Sequence, residues 1–307
     1  MKRVIKGVWV TTTPTYRGKE LSRLISFSYQ LIEANLSSIK LFRILLALCS
    51  ENQVLHVELV NNFKFNLILG LIKVFNKRTK IILDCHTVIF DKKELGKLRY
   101  QYYRFLIKNI RLVVHNEYEK EKLQKEGYSN IHVIHSPIRK ENYDKLQTKT
   151  YTYDFALLSA AYNDLPSEII TYLLHQNKYK VFISGRFETM KDLPKNIIAP
   201  GYLAREDFIT RVMESKVIIG LTNREDCLVL TGREGLALGK PTIVSLNKAN
   251  KLFFKENVHY IENGRDSDFY EKFFEQDFTL KIDQEIYFSE YTNKINTEID
   301  KYSINFF

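Results

Sequence analysis

Residues 217–246 read VIIGLTNREDCLVLTGREGLALGKPTIVSL, and this stretch decides the fold. Val217–Leu221 is an unbroken apolar run of strand length, the pattern of a strand buried on both faces. The run ends at Leu221-Thr222, and Asn223 to Cys227 form a polar loop. A helix begins near Leu230-Thr231 and stops at Gly239, and a second strand, Thr242–Ser245, follows Pro241. Strand, loop, helix and strand in that order predict a parallel unit with its polar loop at the carboxyl edge of the sheet. That edge is where open α/β sheets bind ligands. N–H groups near Thr231 and Gly232, unpartnered at the helix start, suit a phosphate with the help of the helix dipole. Glu234 is expected in the first helical turn, where its carboxylate can accept hydroxyl hydrogen bonds from a ribose.

The same alternation runs outward from this stretch. On its N-terminal side, Glu206–Ser215 reads as a helix and Ile197–Leu203 as a short strand around Gly201. Lys180–Ser184 and Asp154–Leu158 read as strands, with the helix Pro166–His175 between them and its proline in the first turn. Residues 139–152 are polar, lack apolar periodicity and read as a linker. Before the linker lie strands at Val4–Val10, Val54–Val60, Lys80–Cys85, Arg111–His115 and Ile131–His135. Between them, helices are predicted at Lys19–Ala34, Leu36–Cys49, Phe65–Phe75, Lys92–Lys108 and Glu117–Gly127. The first of these helices rests on the spacing of Leu21, Leu24, Ile25, Tyr29 and Ile32. Beyond residue 246, His259–Ile261 is one more strand, and Ser267 to Asn305 is a helical, acidic, aromatic tail. The reading is an α/β chain of two Rossmann-like domains, 1–140 and 153–280, with a helical tail at 281–307.

Composition sets bounds on function. With 307 residues, 45% hydrophobic and 27% charged, the chain can bury two cores and is not disordered. Residues 1–150 hold 27 Lys and Arg against 13 Asp and Glu, whereas residues 151–307 hold 19 against 23. A basic half can face anionic lipid, nucleic acid or an acidic substrate. Cys49, Cys85 and Cys227 stand far apart, without a CxxC or Cys/His cluster, so neither a zinc site nor a disulfide framework is expected, and reducing cytosol fits. Met1-Lys2-Arg3-Val4-Ile5 runs straight into a strand and does not read as a signal peptide. Leu41–Cys49 and Phe65–Phe75 are too short or too interrupted to span a bilayer. No GxGxxG follows the first strand and no GxxxxGK[ST] occurs, which disfavours NAD-binding and P-loop chemistry. Asp266-Ser267-Asp268 has a metal-binding DxD form but stands at a helix start after Gly264, where capping explains it.

The stretch 217–246 is similar to the donor-site signature of GT-B glycosyltransferases, particularly the large retaining family 4. That signature has two acids eight positions apart before a small-Gly-x-Pro helix end; the matching positions are Asp226 and Glu234, then Ala237-Leu238-Gly239-Lys240-Pro241. Aspartate replaces the family's usual first glutamate, and Cys227-Leu228-Val229-Leu230 replaces its glycine-rich loop. Lys180–Arg186 resembles the family's strand ending in glycine and a basic residue for the donor diphosphate, and Ile198–Leu203 its nucleobase segment. Ala160-Ala161-Tyr162 stands where a donor-side loop is expected, and His86, after Leu83-Asp84-Cys85, where the family often faces the transferred sugar. A lone histidine there is equally a structural one.

The resemblance implies GT-B domains facing each other across a cleft, with C-terminal helices crossing back to the first domain. Phe269, Phe273 and Phe274 would serve that crossing, or plain core packing. It implies His86, Asp226 and Glu234 as catalytic residues, and Gly185, Arg186, Gly201, Tyr202, Thr231, Gly232 and Glu234 as donor-binding residues. Tyr16, Arg17 and Lys19, after the first strand, are candidate acceptor contacts, although Lys19 equally starts a helix. The implied activity is sugar transfer from a nucleotide sugar, UDP-linked first, to a saccharide, lipid-linked or protein-linked acceptor in surface polysaccharide or glycoconjugate synthesis. Retention, no metal and no separate cofactor are implied with it. The expected partners are the nucleotide sugar, the acceptor and an anionic membrane at the inner face of the plasma membrane, with a cytoplasmic location and no nucleic acid. Two alternatives stand beside this: a non-catalytic GT-B-like partner of an active transferase, and a nucleic-acid-binding α/β protein suggested by the basic half.

Overall fold

The computed structural model describes residues 6–11, 21, 28–33, 43, 45–47, 54–59, 63–76, 79–85, 95–138, 150–158, 165–185 and 193–304. The chain forms two compact units, Met1–Pro137 with Thr292–Phe307, and Ile138–Tyr291. In the first, strands β1 (Lys6–Thr11), β2 (Ser28–Glu33), β3 (Val54–Leu59), β4 (Lys80–Cys85), β5 (Arg111–Val114) and β6 (Ile131–Val133) form one sheet. Its order is β2-β1-β3-β4-β5-β6 and all of its pairs are parallel. Helices α1 (Phe63–Phe75), α2 (Lys97–Ile107) and α3 (Glu117–Lys125) connect the later strands. Val57, Leu83, Val114 and Leu112 of the strands pack with Leu69, Ile72, Leu106 and Leu123 of the helices in one core.

The predicted helix Lys19–Ala34 is corrected by β2. Leu21 is helical, but Ser28–Glu33 pairs in register with β1, Ser28 beside Lys6 and Glu33 beside Thr11. The helical spacing was coincidental, because Tyr29-Gln30-Leu31-Ile32 also carries the aromatic and β-branched residues of a strand. The backbone groups on the open edge of β1 then decide between the two periods. Where they are described, residues 43 and 45–47 are helical, as expected for the second segment.

The second unit repeats the plan. Strands β7 (Tyr153–Leu158), β8 (Val181–Ser184), β9 (Ile197–Gly201), β10 (Ser215–Gly220), β11 (Thr242–Ser245) and β12 (His259–Ile261) order as β12-β11-β10-β7-β8-β9, again all parallel. Helices α4 (Ser167–His175), α5 (Arg205–Met213), α6 (Leu230–Ala237), α7 (Lys248–Phe254), α8 (Ser267–Phe274) and α9 (Gln284–Ile304) complete the chain. Strand order reverses between β7 and β10, so the connections after these two strands leave in opposite directions and open a crevice at the carboxyl edge.

The tail resolves into two helices with separate roles. Asp266 caps α8, its Oδ1 accepting from Phe269 N–H at 2.9 Å, as the capping reading of the DxD run expected. Phe273 and Phe274 of α8 join the core of the second unit beside Phe155 and Tyr172, so these phenylalanines are core packing there. It is α9 that returns, since its residues from Thr292 onward belong to the first unit. Its buried residues Tyr287, Tyr291, Ile295, Ile299 and Tyr302 follow the three-and-four spacing of one helical face.

Candidate functional site

At the carboxyl edge of the second sheet, β10 ends at Gly220 and the chain loops from Leu221 to Val229 before entering α6. Side chains from two other connections, β11–α7–β12 and β12–α8, hold this loop. Thr222 N–H donates to Ser245 Oγ at 3.0 Å, and Asn263 Nδ2 donates to Thr222 O at 2.9 Å. Asn247 Nδ2 donates to Arg224 O at 2.8 Å and to Cys227 O at 2.9 Å, while its Oδ1 caps α7 through Asn250 N–H. Asn250 Oδ1 accepts from Val229 N–H at 3.2 Å and its Nδ2 donates to Ser245 O at 2.8 Å. Every one of these holding groups is neutral. A buried amide used as both donor and acceptor satisfies two backbone groups at modest desolvation cost.

The loop delivers a short helix close to the sheet. A Cβ on Gly232 would overlap Phe254 Cζ and Val244 Cγ1, so glycine at this position lets the first turn of α6 lie against β11 and α7. Thr231 Oγ1 donates to Leu158 O, at the end of β7, at 3.1 Å. The N-cap residue of α6, Val229, makes no side-chain capping bond, so no side chain at that position covers the first-turn amides. Such an end favours an anion through its N–H groups and dipole.

Because α6 starts at Leu230, Glu234 lies in the second turn, one turn deeper than the sequence reading placed it. The helix starts where the sequence reading put it, near Leu230, and only the turn that holds Glu234 was misplaced. Glu234 is partly buried and its Oε1 lies 3.6 Å from a guanidinium nitrogen of Arg205. Arg205 is the first residue of α5, directly after β9, so this pair joins α6 to the segment carrying Gly201 and Tyr202. Gly201, with φ of 80°, and Gly185, with φ of 114°, turn the chain at the ends of β9 and β8 in a backbone region that side chains rarely adopt. Tyr202 is exposed at the same edge. Asp226 is partly buried in the loop, 3.5 Å from Arg224 Nε.

The carboxyl edge of the first sheet is built on charge. Asp84, at the end of β4, is fully buried and its Oδ1 is 2.8 Å from His115 Nε2, while its Oδ2 is 3.9 Å from His56 Nε2. Glu58 of β3 is buried in register beside Asp84. His115 N–H donates to the buried Glu119 at 2.9 Å. Cys85, buried beside this group, is held well above the usual thiol range, first by burial and then by Asp84 and Glu119. His135, after β6, is also buried, and Glu298 of α9 accepts from its backbone N–H at 2.9 Å and meets its Nδ1 at 2.7 Å.

The site residues expected from sequence therefore divide. Gly185, Gly201, Tyr202, Asp226, Thr231, Gly232 and Glu234 all stand at the carboxyl edge of the second sheet. His86, Arg186, Tyr16, Arg17 and Lys19 lie outside the described residues, as do Ala160, Ala161 and Tyr162. The reading missed Arg205, Ser245, Asn247, Asn250 and Asn263 in one unit and His56, Glu58 and Glu119 in the other. For His56 and Glu58 a signal existed, two polar residues at alternate positions of an apolar strand. Among the described residues no group of three His, Cys, Asp or Glu is placed to hold a metal ion, and no helix is long and apolar enough to cross a membrane.

Neither protein-family models nor curated protein sequences match the chain. Solved structures match it throughout. HepE from Anabaena in complex with UDP-glucose superposes with a TM-score of 0.64 at 12% identity, covering 98% of this chain and 94% of that one. Sucrose-phosphate synthase from Thermosynechococcus elongatus gives 0.62 at 9% identity, covering 96% and 94%. UDP-GlcNAc 2-epimerase from Methanocaldococcus jannaschii gives 0.54 at 12% identity, covering 95% and 99%. The fold is thus the two-domain, parallel-sheet α/β fold of GT-B glycosyltransferase structures.

Proposed function

We propose that this chain is a GT-B glycosyltransferase that moves a sugar from a UDP-linked donor to a saccharide, lipid-linked or protein-linked acceptor. The observation that carries the reading is the β10–loop–α6 unit: an uncapped helix start pressed against the sheet edge, with Glu234 one turn further in and Arg205 beside it. A diphosphate on the first-turn amides and a ribose on Glu234 fit that spacing. Gly185 and Gly201 leave room for the donor to approach backbone at the neighbouring strand ends. Tyr202 offers an exposed ring for the base or sugar. Arg186, His86, Tyr16, Arg17 and Lys19 complete the proposal from the sequence resemblance. UDP is favoured because HepE is solved with UDP-glucose and the Methanocaldococcus jannaschii epimerase is named for UDP-GlcNAc.

The chemistry we infer is preorganised electrostatics. N–H groups and Arg186 would meet charge developing on the leaving diphosphate, with retention at the sugar and no metal. Membership of family 4, a place in surface polysaccharide or glycoconjugate synthesis, and a location at the inner face of the plasma membrane belong to the same reading. Transferase is preferred to epimerase because Asp226, Glu234 and Gly239-Lys240-Pro241 stand in the spacing of the transferase signature.

Titration calorimetry with UDP-, GDP- and ADP-glucose tests the donor site, followed by product analysis with UDP-glucose. Binding of one nucleotide sugar, weakened at least tenfold in Glu234→Ala, is the expected result. Absence of binding to any of them overturns the reading. Binding without transfer, hydrolysis or epimerisation makes the chain a non-catalytic donor-binding partner instead.

A further inference from the structure

The first unit presents a face that neither its core nor the proposed donor chemistry uses. Helices α1 and α2 lie side by side: Tyr102 Oη donates to Asn66 O at 2.7 Å, and Lys73 Nζ donates to Phe105 O, Leu106 O and Lys108 O at the end of α2. A Cβ on Gly70 would overlap Tyr102 Oη, so the helices are in close contact. Away from the core, however, both helices turn large apolar side chains to solvent. Leu67, Leu71, Val74 and Phe75 of α1 are exposed, with Phe75 at 77%, as are Phe105 and Leu98 of α2, with Leu98 at 82%.

Helical geometry makes these one patch. At 3.6 residues per turn, Lys64, Leu67, Leu71, Val74 and Phe75 share an arc of about 100° on α1. The side of α1 that meets α2 carries Asn66, Gly70 and Lys73, next to the edge of that arc. On α2, Leu98 and Phe105 fall on the stripe adjoining Tyr102, the residue that meets α1. The ammonium of Lys73, 4.8 Å above the Phe105 ring, sits on the seam. The exposed apolar residues therefore run across both helices instead of being scattered singly.

Charge identifies what this patch fits. The two helices carry Lys64, Lys73, Lys97, Arg99 and Arg104 and no Asp or Glu. Arg104 is engaged by Glu126, Lys73 by the carbonyls of α2 and Arg99 by the Phe63 ring, which leaves Lys64 and Lys97, with Lys108 just beyond the helix, beside the apolar stripe. Apolar side chains flanked by cations, with no acid on either helix, complement a surface that is apolar beneath and negative on top. We propose that the α1–α2 face is a docking surface for an anionic lipid bilayer, with Leu67, Leu71, Phe75 and Leu98 entering the headgroup boundary and Lys64 and Lys97 at the phosphates. The face thereby supplies the contact for the membrane-peripheral placement in the proposed function. It stands on the surface itself and not on the donor site.

The test is co-sedimentation of the full chain with vesicles of phosphatidylglycerol and phosphatidylcholine, against phosphatidylcholine alone. UDP-glucose binding is measured in the same samples. Binding to the anionic vesicles, at least tenfold weaker on phosphatidylcholine alone, is expected, since each cation near an anionic surface is worth about fivefold in affinity. Leu71→Glu with Phe75→Glu, and separately Lys64→Glu with Lys97→Glu, should each reduce it at least tenfold. All four residues are at the surface, so an unchanged circular dichroism spectrum is expected for both variants. Equal binding to both vesicle types, or wild-type binding by both variants, overturns the proposal. No vesicle binding together with a concentration-dependent dimer that Leu71→Glu with Phe75→Glu disperses also overturns it, and assigns the face to a second copy. Donor binding without vesicle binding removes this proposal alone; vesicle binding without donor binding removes the functional reading alone.

Discussion

The two sheets share strand count, direction and order reversal, yet they finish their carboxyl edges with opposite chemistry. In the first unit the buried polar groups there are mostly titratable, His56, Glu58, Asp84, Glu119 and His135 beside the neutral Asn116, with Asp84 facing His56 and His115 and with Glu298 facing His135. In the second they are mostly neutral, Thr222, Ser245, Asn247 and Asn250, held by amide and hydroxyl bonds to a loop, with the buried Arg233 of α6 donating to Tyr291 Oη. Buried neutral groups cost little to desolvate and keep their bonds at any ordinary pH. Buried ion pairs cost several kcal/mol per ion to desolvate and repay it only while both partners are present and charged. The comparison teaches that one fold can set its carboxyl edge either with carboxylates and imidazoles or with a frame of neutral amides and hydroxyls. The first unit should therefore lose more than the second when one buried partner is truncated.

The strongest way to break this contrast is Asp84→Ala. It leaves His115 and His56 facing a buried void without their carboxylate, and about 3–5 kcal/mol of stability should be lost. Urea unfolding of the variant should show that loss, with Asp84→Asn losing less. A change below 1 kcal/mol would mean that the pair is not the anchor its burial indicates.

Next in size is the acid limb. Burial, then Arg111 and Lys120, lower His132 from 6.5 to about 4. Its charged form is disfavoured in the fold, so its contribution is complete above 6.5 and lost as pH falls through about 4. At most about 3 kcal/mol is involved. His132→Phe keeps a ring against Tyr302, now 5.6 Å away edge-on, and should flatten the stability profile between pH 6.5 and 4 relative to wild type. An unchanged profile would move acid sensitivity elsewhere in the unit.

Asn250→Ala probes the neutral frame. It strips the partners from Val229 N–H and Ser245 O, both in the buried joint between the loop and α7, and should cost about 2 kcal/mol. The loss should be the same at pH 5 and pH 8, which sets it apart from Asp84→Ala. By loosening the start of α6 it should also weaken nucleotide-sugar binding, read by calorimetry.

Strands and helices were legible where apolar runs carried one period. Lys80–Cys85, Thr242–Ser245 and His259–Ile261 match the sequence reading residue for residue. Tyr29 to Glu33 failed because its residues satisfy both the helical and the strand period, and the choice is made by pairing with β1, which no local pattern encodes. α7 went unread because seven residues give too few turns to establish a period. At the candidate site, Thr231, Gly232 and Glu234 could be read because they sit on one helix after one strand. Asn247, Asn250 and Asn263 could not, since their role arises from two distant connections meeting at one loop. Arg205 was hidden for the same reason, being 29 positions from its partner Glu234.

The smallest effect sharpens the comparison from the alkaline side. Lys240 is buried in the second unit, its ammonium donating to Met213 O at 2.6 Å and Ser215 O at 2.9 Å and lying 4.6 Å from the Tyr151 ring. Burial nevertheless lowers it from 10.5 to about 8. With its folded value below its unfolded one, its stabilising contribution is complete above 10.5 and lost as pH falls through about 8. Stability of the wild type should therefore climb between pH 7.5 and 9.5 by about 1–2 kcal/mol, a range that stops short of tyrosine ionisation near 10. Lys240→Met, which keeps the length of the stem but cannot titrate, should lack that climb. The two units would then respond in separate windows, one losing stability below pH 6.5 through His132 and the other gaining it above pH 8 through Lys240. If Lys240→Met retains the climb, Lys240 is not its source and the group responsible lies elsewhere.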